Sequence, residues 1–200
     1  MQLREFIKYT IREKLNEGVI TIPNIPNTRN FFHGGNLDDY NDVIAQKNGR
    51  YEYGPGLYLI TRYDIAKRYA KGSRKLYIIS VESGNDISDA YIDNGIILEF
   101  INTYVTKNKI KEINQRISKY INENNQIPAD VFNNTILNSN AIKGTNTKYL
   151  RQFLIDNNID YEMVNNTFGF GEDMMVLYNM KKIKNIIQVK STDRLDSYEL

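Results

Sequence analysis

The chain has 200 residues, of which 41% are apolar and 25% charged, values typical of one soluble globular domain. Lysine and arginine total 26 against 24 acidic residues, so the net charge of +2 provides no strong basic field for nucleic acid. The absence of cysteine and the single histidine exclude disulfides, thiolate zinc sites, a cysteine nucleophile and multi-histidine metal centres. Since there is neither a membrane-length apolar run nor a secretory signal pattern, we expect a cytoplasmic protein, in the producing cell or in a target cell.

The first part of the chain predicts two helices and three strands. Apolar side chains recur every three or four residues from Leu3 to Val19, which predicts an amphipathic helix. Thr61 and Asp64 resemble a capping box, which predicts a second helix running to Gly72. The strands are predicted at Thr28 to His33, at Leu57 to Ile60 after a sharp Gly54-Pro55-Gly56 turn, and at Lys75 to Glu82.

The rest of the chain predicts helices followed by strands. The helices are predicted between Lys107 and Asn125, after Pro128, and from Asn146 to Asn157. The strands are predicted at Tyr161 to Val164, Met174 to Tyr178 and Ile183 to Val189. No repeat or flexible linker divides the sequence, so we expect a single domain over residues 1–200 with a helical insertion at about 84–158.

Three short motifs contain residue types that could perform chemistry. They are Phe32-His33-Gly34-Gly35, Gly54-Pro55-Gly56-Leu57-Tyr58 with Tyr69 eleven residues after Tyr58, and Gly171-Glu172-Asp173 before an apolar strand. Each motif alone is more often structural. A lone histidine is usually a structural or surface residue, two such tyrosines are usually core aromatics, and a carboxylate before a strand usually lies in a solvated turn. Gly-x-Gly lacks the third glycine of a dinucleotide fingerprint.

In this order, the three motifs resemble the His-Tyr-Glu type of the ADP-ribosyltransferase superfamily, which includes diphtheria toxin and poly(ADP-ribose) polymerases. The resemblance covers residues 28–83 and 159–190 and is carried by His33, Gly34, Tyr58, Tyr69 and Glu172. It implies an α+β fold with a split, mostly antiparallel sheet, surrounding helices and a central NAD cleft. It also implies an NAD-dependent mono-ADP-ribosyltransferase that uses NAD as substrate and needs no metal.

The resemblance further implies a role for each of these residues. Tyr58 and Tyr69 would form opposite walls of a slot and hold the cationic nicotinamide by stacking and cation–π attraction. The backbone of Gly34 would bind the carboxamide, and His33 would bind a ribose hydroxyl of the adenosine half. Glu172 would stabilise the oxocarbenium-like transition state as nicotinamide leaves. A carboxylate at such a cleft is expected outside the core, so that replacing it leaves the fold intact.

Three positions depart from the family pattern. Polymerase relatives have a serine three residues before the second tyrosine, where this chain has Ala66. Aligning on Tyr178 would put Met174 at the glutamate position, so Asp173 is the fallback carboxylate. The arginine-modifying branch has a Glu-x-Glu pair, but Phe170 stands two residues before Glu172, so arginine is not indicated as the modified side chain.

The predicted function is therefore transfer of ADP-ribose from NAD to a macromolecular acceptor, a protein side chain or a nucleic acid. A small-molecule acceptor remains an alternative, as do NAD glycohydrolase activity and a non-catalytic module that binds NAD or ADP-ribose. RNA 2′-phosphotransferase activity is disfavoured because no arginine accompanies the Gly-x-Gly motif, and dispersed charge disfavours a nucleic-acid-binding module. Family association alone suggests a toxin, a phage-encoded host modifier or a resistance factor, and an inhibitory antitoxin as partner.

Overall fold

The computed structural model describes residues 22–37, 53–70, 75–142, 146–165, 169 and 171–190, and the predicted N-terminal helix lies outside this part of the chain. The described residues form an α+β structure. Its strands are β1 Thr28–Gly34, β2 Leu57–Ile60, β3 Lys75–Glu82, β4 Tyr91–Asp93, β5 Gln126–Pro128, β6 Tyr161–Asn165, β7 Asp173–Leu177 and β8 Ile183–Lys190. Its α-helices are α1 Tyr63–Tyr69, α2 Asn94–Tyr104, α3 Lys107–Ile117, α4 Ala129–Asn138 and α5 Thr147–Asp156.

The main sheet has six strands in the order β6-β7-β2-β1-β3-β8, and every neighbouring pair is antiparallel. Strands β4 and β5 form a separate two-stranded sheet within the helical middle region. The order places β1 and β2 at the centre, with β7 beside β2. The strands that carry the three predicted motifs are therefore neighbours in the sheet.

Side chains alternate between the two faces of the sheet and enter different hydrophobic clusters. On one face, here called the helix-covered face, Phe32 and Ile60 pack with α1, while Met174 and Val176 pack with the middle region. On the opposite face, a third cluster contains Phe31 and its neighbours Leu57, Leu59, Tyr77, Met175 and Leu177. The helix-covered face is thus divided between α1 over β1 and the middle region over β7.

All six predicted strands are confirmed to within about one residue at each end, because their apolar pattern matches the faces that the sheet buries. Two predictions about helix ends are wrong. Thr61 does not cap α1, since the N-cap is Arg62 and the Thr61 hydroxyl instead accepts a 2.9 Å bond from Asp173 N. Helix α3 ends at Ile117, and Asn125 has a left-handed φ of 58° in a turn whose amides bond to Asn122 Oδ1.

The middle region also contains elements that the sequence analysis did not predict. They are helix α2, capped by the Asp93 carboxylate, and the paired strands β4 and β5. The middle region packs on the sheet, since one hydrophobic cluster joins its helices to Met174 and Val176. Within the described ranges, no helix combines the length and apolar character needed to cross a bilayer.

Candidate functional site

The candidate site begins where β1 and β2 meet. Their paired register consists of Phe32 with Ile60, and beyond this pair the His33 side chain reaches across to β2. His33 Nδ1 lies 2.9 Å from the main-chain oxygen of Tyr58. Because a carbonyl oxygen can only accept, Nδ1 carries the proton and Nε2 presents a lone pair when the ring is neutral. Burial lowers the pKa of His33, although its bond to Tyr58 acts in the opposite direction, so the neutral ring is favoured.

Gly34 brings helix α1 against the end of β1. A Cβ atom at this position would lie 1.9 Å from Ala66 O and 2.8 Å from Ala70 N, so only glycine allows this approach. The contact places the last turn of α1, which ends at Tyr69, beside the backbone of Gly34. The small Ala66, which stands where the polymerases have serine, is buried in this contact.

The two predicted ring-binding tyrosines lie on different elements with different exposure. The ring of Tyr58 on β2 is partly buried against the middle-region cluster, and its hydroxyl donates to Gly54 O at 3.0 Å. The Tyr69 side chain, at the end of α1, is 62% exposed. The slot between the two rings stays a prediction.

Glu172 lies immediately before β7, near the opposite end of β2 from Tyr58. Strand β7 joins β2 through Tyr58 paired with Val176 and through Thr61 N, which donates to Asp173 O at 2.9 Å. Four residues from Val176 to Glu172 correspond to about 13 Å along the strand. Glu172 is fully buried, so the expectation that this carboxylate lies outside the core is wrong. The sequence indicated only a turn and did not show that other elements would enclose it.

Asp173, the fallback carboxylate, occupies the opposite face of the sheet. It forms an ion pair with Arg29 of β1, whose guanidinium lies 5.3 Å from the ring centroid of Phe31 on that face. The structure thus separates the two adjacent carboxylates, as strand alternation requires. Among the predicted residues, it brings the His33 side chain to the main chain of Tyr58 and Gly34 to the helix of Tyr69, while Glu172 lies just before β7 and Asp173 at its start.

Sequence reasoning missed a second polar group, formed by Glu162 on β6, Asn133 on α4 and Tyr178 after β7. The Tyr178 hydroxyl lies 2.9 Å from Glu162 Oε2, and Asn133 Nδ2 lies 3.3 Å from the same oxygen. All three side chains are buried. The sequence signal for this group was a glutamate inside an apolar strand pattern. In the sheet, Glu162 pairs with Val176.

The side chains of the described residues limit the kinds of reaction that the candidate site can support. In the described part of the chain, no three or more histidine, cysteine, aspartate or glutamate side chains are grouped so that they could hold a metal ion. The arrangement offers a neutral imidazole acceptor, tyrosine rings and a buried glutamate. No protein family model, curated protein or solved structure matches the chain.

Proposed function

We propose that the chain transfers ADP-ribose from NAD to a macromolecular acceptor at the junction of β1 and β2. The observation that carries this proposal is the 2.9 Å contact from His33 Nδ1 to the Tyr58 carbonyl. It joins two of the three motifs on neighbouring central strands, and Gly34 adds the helix of Tyr69. We further propose that the end of the β1–β2 pair, beyond Phe32 and Ile60, is the NAD cleft of an ADP-ribosyltransferase-like sheet.

Each residue supplies an interaction that cleavage of the nicotinamide–ribose bond requires. The rings of Tyr58 and Tyr69 hold the cationic nicotinamide, an attraction of about 0.5 to 2 kcal/mol. The neutral His33 accepts a hydrogen bond from a ribose hydroxyl at Nε2, because Nδ1 is engaged with Tyr58. Nicotinamide leaves with the bonding electron pair, and the acceptor nucleophile then forms its bond to the ribose C1′ and releases its proton to solvent. The carboxylate of Glu172 stabilises the positive charge that develops on the ribose.

The direct test is incubation of the protein with biotinylated NAD in a cell lysate, followed by separate nuclease and protease digestions. Label that only protease removes identifies a protein acceptor, and label that only nuclease removes identifies a nucleic acid. The matched control is Glu99→Gln, which removes an exposed carboxylate from α2 and should leave labelling unchanged.

The alternatives give different results in the same experiment. Release of nicotinamide and free ADP-ribose without labelled macromolecule would identify a glycohydrolase. Binding of NAD without release of nicotinamide would identify a non-catalytic module. Neither binding nor release by the wild-type protein would reject the proposal.

A further inference from the structure

Three oxygen atoms form a hydrogen-bonded line beneath the turn that precedes β2. Oε2 of Glu162 lies 2.9 Å from the hydroxyl of Tyr178, and that hydroxyl lies 2.8 Å from the main-chain oxygen of Tyr53. Glu162 is 8% exposed and Tyr178 is fully buried. The line therefore connects β6 to the turn through the protein interior.

The number of protons in this line defines the state of Glu162. Two hydrogen bonds among three oxygen atoms require two protons, and a carbonyl oxygen supplies none. Tyr178 supplies one proton, so both contacts are hydrogen bonds at the same time only when Glu162 carries the second. The protonated carboxyl donates to the Tyr178 hydroxyl, which in turn donates to Tyr53 O. Asn133 Nδ2, at 3.3 Å from both Glu162 Oε2 and Tyr53 O, adds only long hydrogen bonds beside the line.

The surroundings of Glu162 favour this protonated form. Burial is the main cause that raises its pKa to about 7, and the hydrogen bond that Tyr178 donates to the ionised carboxylate opposes the shift. The carboxylates of Asp86, before the 3-10 turn that follows β3, and Asp130, on α4, raise the pKa further. Burial also raises the pKa of Tyr178 well above its ordinary value, with the nearby Glu162 and Tyr58 adding to the effect. On the α5 side, Arg151 donates to the Tyr178 main-chain oxygen at 2.6 Å.

The main chain of Tyr53 and Gly54 is held by two tyrosine hydroxyls. Tyr178 contacts Tyr53 O, while the Tyr58 hydroxyl donates to Gly54 O at 3.0 Å and lies 3.4 Å from Tyr53 N. Gly54 has a φ of 113°, and a Cβ atom there would lie 3.0 Å from the Tyr178 hydroxyl. Because both hydroxyls bond to the main chain of the same two residues, a change at Tyr178 reaches Tyr58.

We propose that protonated Glu162 is a positioning residue that fixes the Tyr53–Gly54 peptide through Tyr178 and thereby orients Tyr58. Its effect on catalysis rests on the proposed function, whereas the coupling of Glu162 to the turn rests on geometry alone. When Glu162 loses its proton, the Tyr178 hydroxyl donates its hydrogen bond to the carboxylate instead of to Tyr53 O. The Tyr53 carbonyl then loses its closest donor, the turn loosens, and NAD binds more weakly.

Hydrogen exchange measured by mass spectrometry at pH 6 and pH 8 tests the coupling without any activity. After correction for the intrinsic exchange rates, the amides of residues 53–58 should lose about fivefold in protection at the higher pH, as expected for one net hydrogen bond. Glu162→Gln should remove this pH dependence, because its amide donates to Tyr178 at both pH values. Glu99→Gln, on the exposed surface of α2, should retain the wild-type profile.

Tyr178→Phe is the second variant, and steady-state kinetics are the second measurement. Removal of the hydroxyl should lower the protection of the turn at both pH values and abolish its pH dependence. In the wild type, KM for NAD should rise about fivefold from pH 6 to pH 8 with little change in kcat, as expected for one net hydrogen bond. In Glu162→Gln, KM for NAD should be the same at both pH values.

Three results would overturn the inference. They are identical pH profiles of the turn in wild type and Glu162→Gln, pH dependence that persists in Tyr178→Phe, and failure of the isosteric Glu162→Gln to fold. A wild-type protein without any NAD-dependent activity would reject the proposed function, while the exchange profiles would still decide the coupling.

Discussion

Adjacent carboxylates at positions 172 and 173 have different environments. Glu172 is fully buried, whereas Asp173 is partly exposed and pairs with Arg29 on the opposite face of the sheet. An electrostatic interaction with a developing cation is stronger where water is excluded. Burial therefore favours Glu172 over Asp173 as the carboxylate of the proposed reaction.

Glu172→Gln should reduce transfer of label from NAD by about 100-fold or more, because in the proposed reaction it removes the charge that stabilises the oxocarbenium-like state. Asp173→Asn should reduce transfer only slightly and cost about 0 to 1 kcal/mol of stability through its exposed ion pair with Arg29. Initial rates with labelled NAD, compared after thermal unfolding has shown that both variants are folded, measure the difference. Loss of transfer in Asp173→Asn alone would assign the role to Asp173, and no loss in either variant would remove the transferase assignment.

His33→Ala should weaken NAD binding more than Glu172→Gln does. In the proposed reaction, the histidine contacts the bound substrate, while the glutamate acts mainly on the transition state. Calorimetric titration with NAD measures both affinities. Thermal unfolding shows how much stability is lost with the His33 bond to Tyr58. Equal losses of affinity would contradict this division of roles.

At the scale of elements, the site depends on how closely α1 approaches β1. The helix has seven residues and no side-chain hydrogen bond at its N-cap, so packing rather than local propensity stabilises it. Its buried side chains Tyr63, Ile65 and Ala66 pack with Phe32 of β1. A change at the contact with Gly34 should therefore displace Tyr69 as well.

Gly34→Ala should destabilise the protein by about 1 to 3 kcal/mol, since the added methyl group meets the backbone of Ala66 and cannot be accommodated by a side-chain rotation. The comparison is Gly95→Ala in α2, where the added atom meets no backbone within 4 Å but only the carboxylate of the Asp93 cap, so the variant should lose less stability than Gly34→Ala. Thermal unfolding of both variants measures the effect. A Gly34→Ala variant as stable as Gly95→Ala would contradict the close approach of α1.

For the whole molecule, two buried titratable groups link stability to pH in opposite directions. His33 has a lowered pKa, so the unfolded chain binds its proton first and stability is lost as pH falls below about 6.5. Glu162 has a raised pKa, so the folded chain binds more protons between pH 4.5 and about 7, and stability is lost as pH rises through this range. Above that range, the loss due to Glu162 is complete.

As the pH rises from 4.5 to about 7, the wild type should therefore lose about 3 kcal/mol of unfolding free energy through Glu162. Glu162→Gln should not show this loss. Denaturant unfolding of wild type and variant at pH 5 and pH 8 measures the change, with Glu99→Gln as the surface control. The difference in unfolding free energy between variant and wild type should increase with pH. A constant difference would show that Glu162 ionises with an ordinary pKa.

The sequence by itself determined the positions of most described strands and of four of the five described α-helices, and the chemical character of the motifs. Hydrophobic periodicity is a local property, so Leu57–Ile60 and Lys75–Glu82 could be predicted at their observed bounds. Local turn chemistry was less informative, because the Thr61 hydroxyl bonds to Asp173, 112 residues away, instead of capping α1.

Only the tertiary structure decided which polar groups are buried and which of them meet. Glu172 was expected to lie outside the core, yet it is fully enclosed. The line from Glu162 to Tyr53 could not be predicted, because Tyr178 and Tyr53 are 125 residues apart. Burial and hydrogen bonding depend on neighbours brought together by strand order, whereas periodicity specifies only which side of its own element a residue occupies.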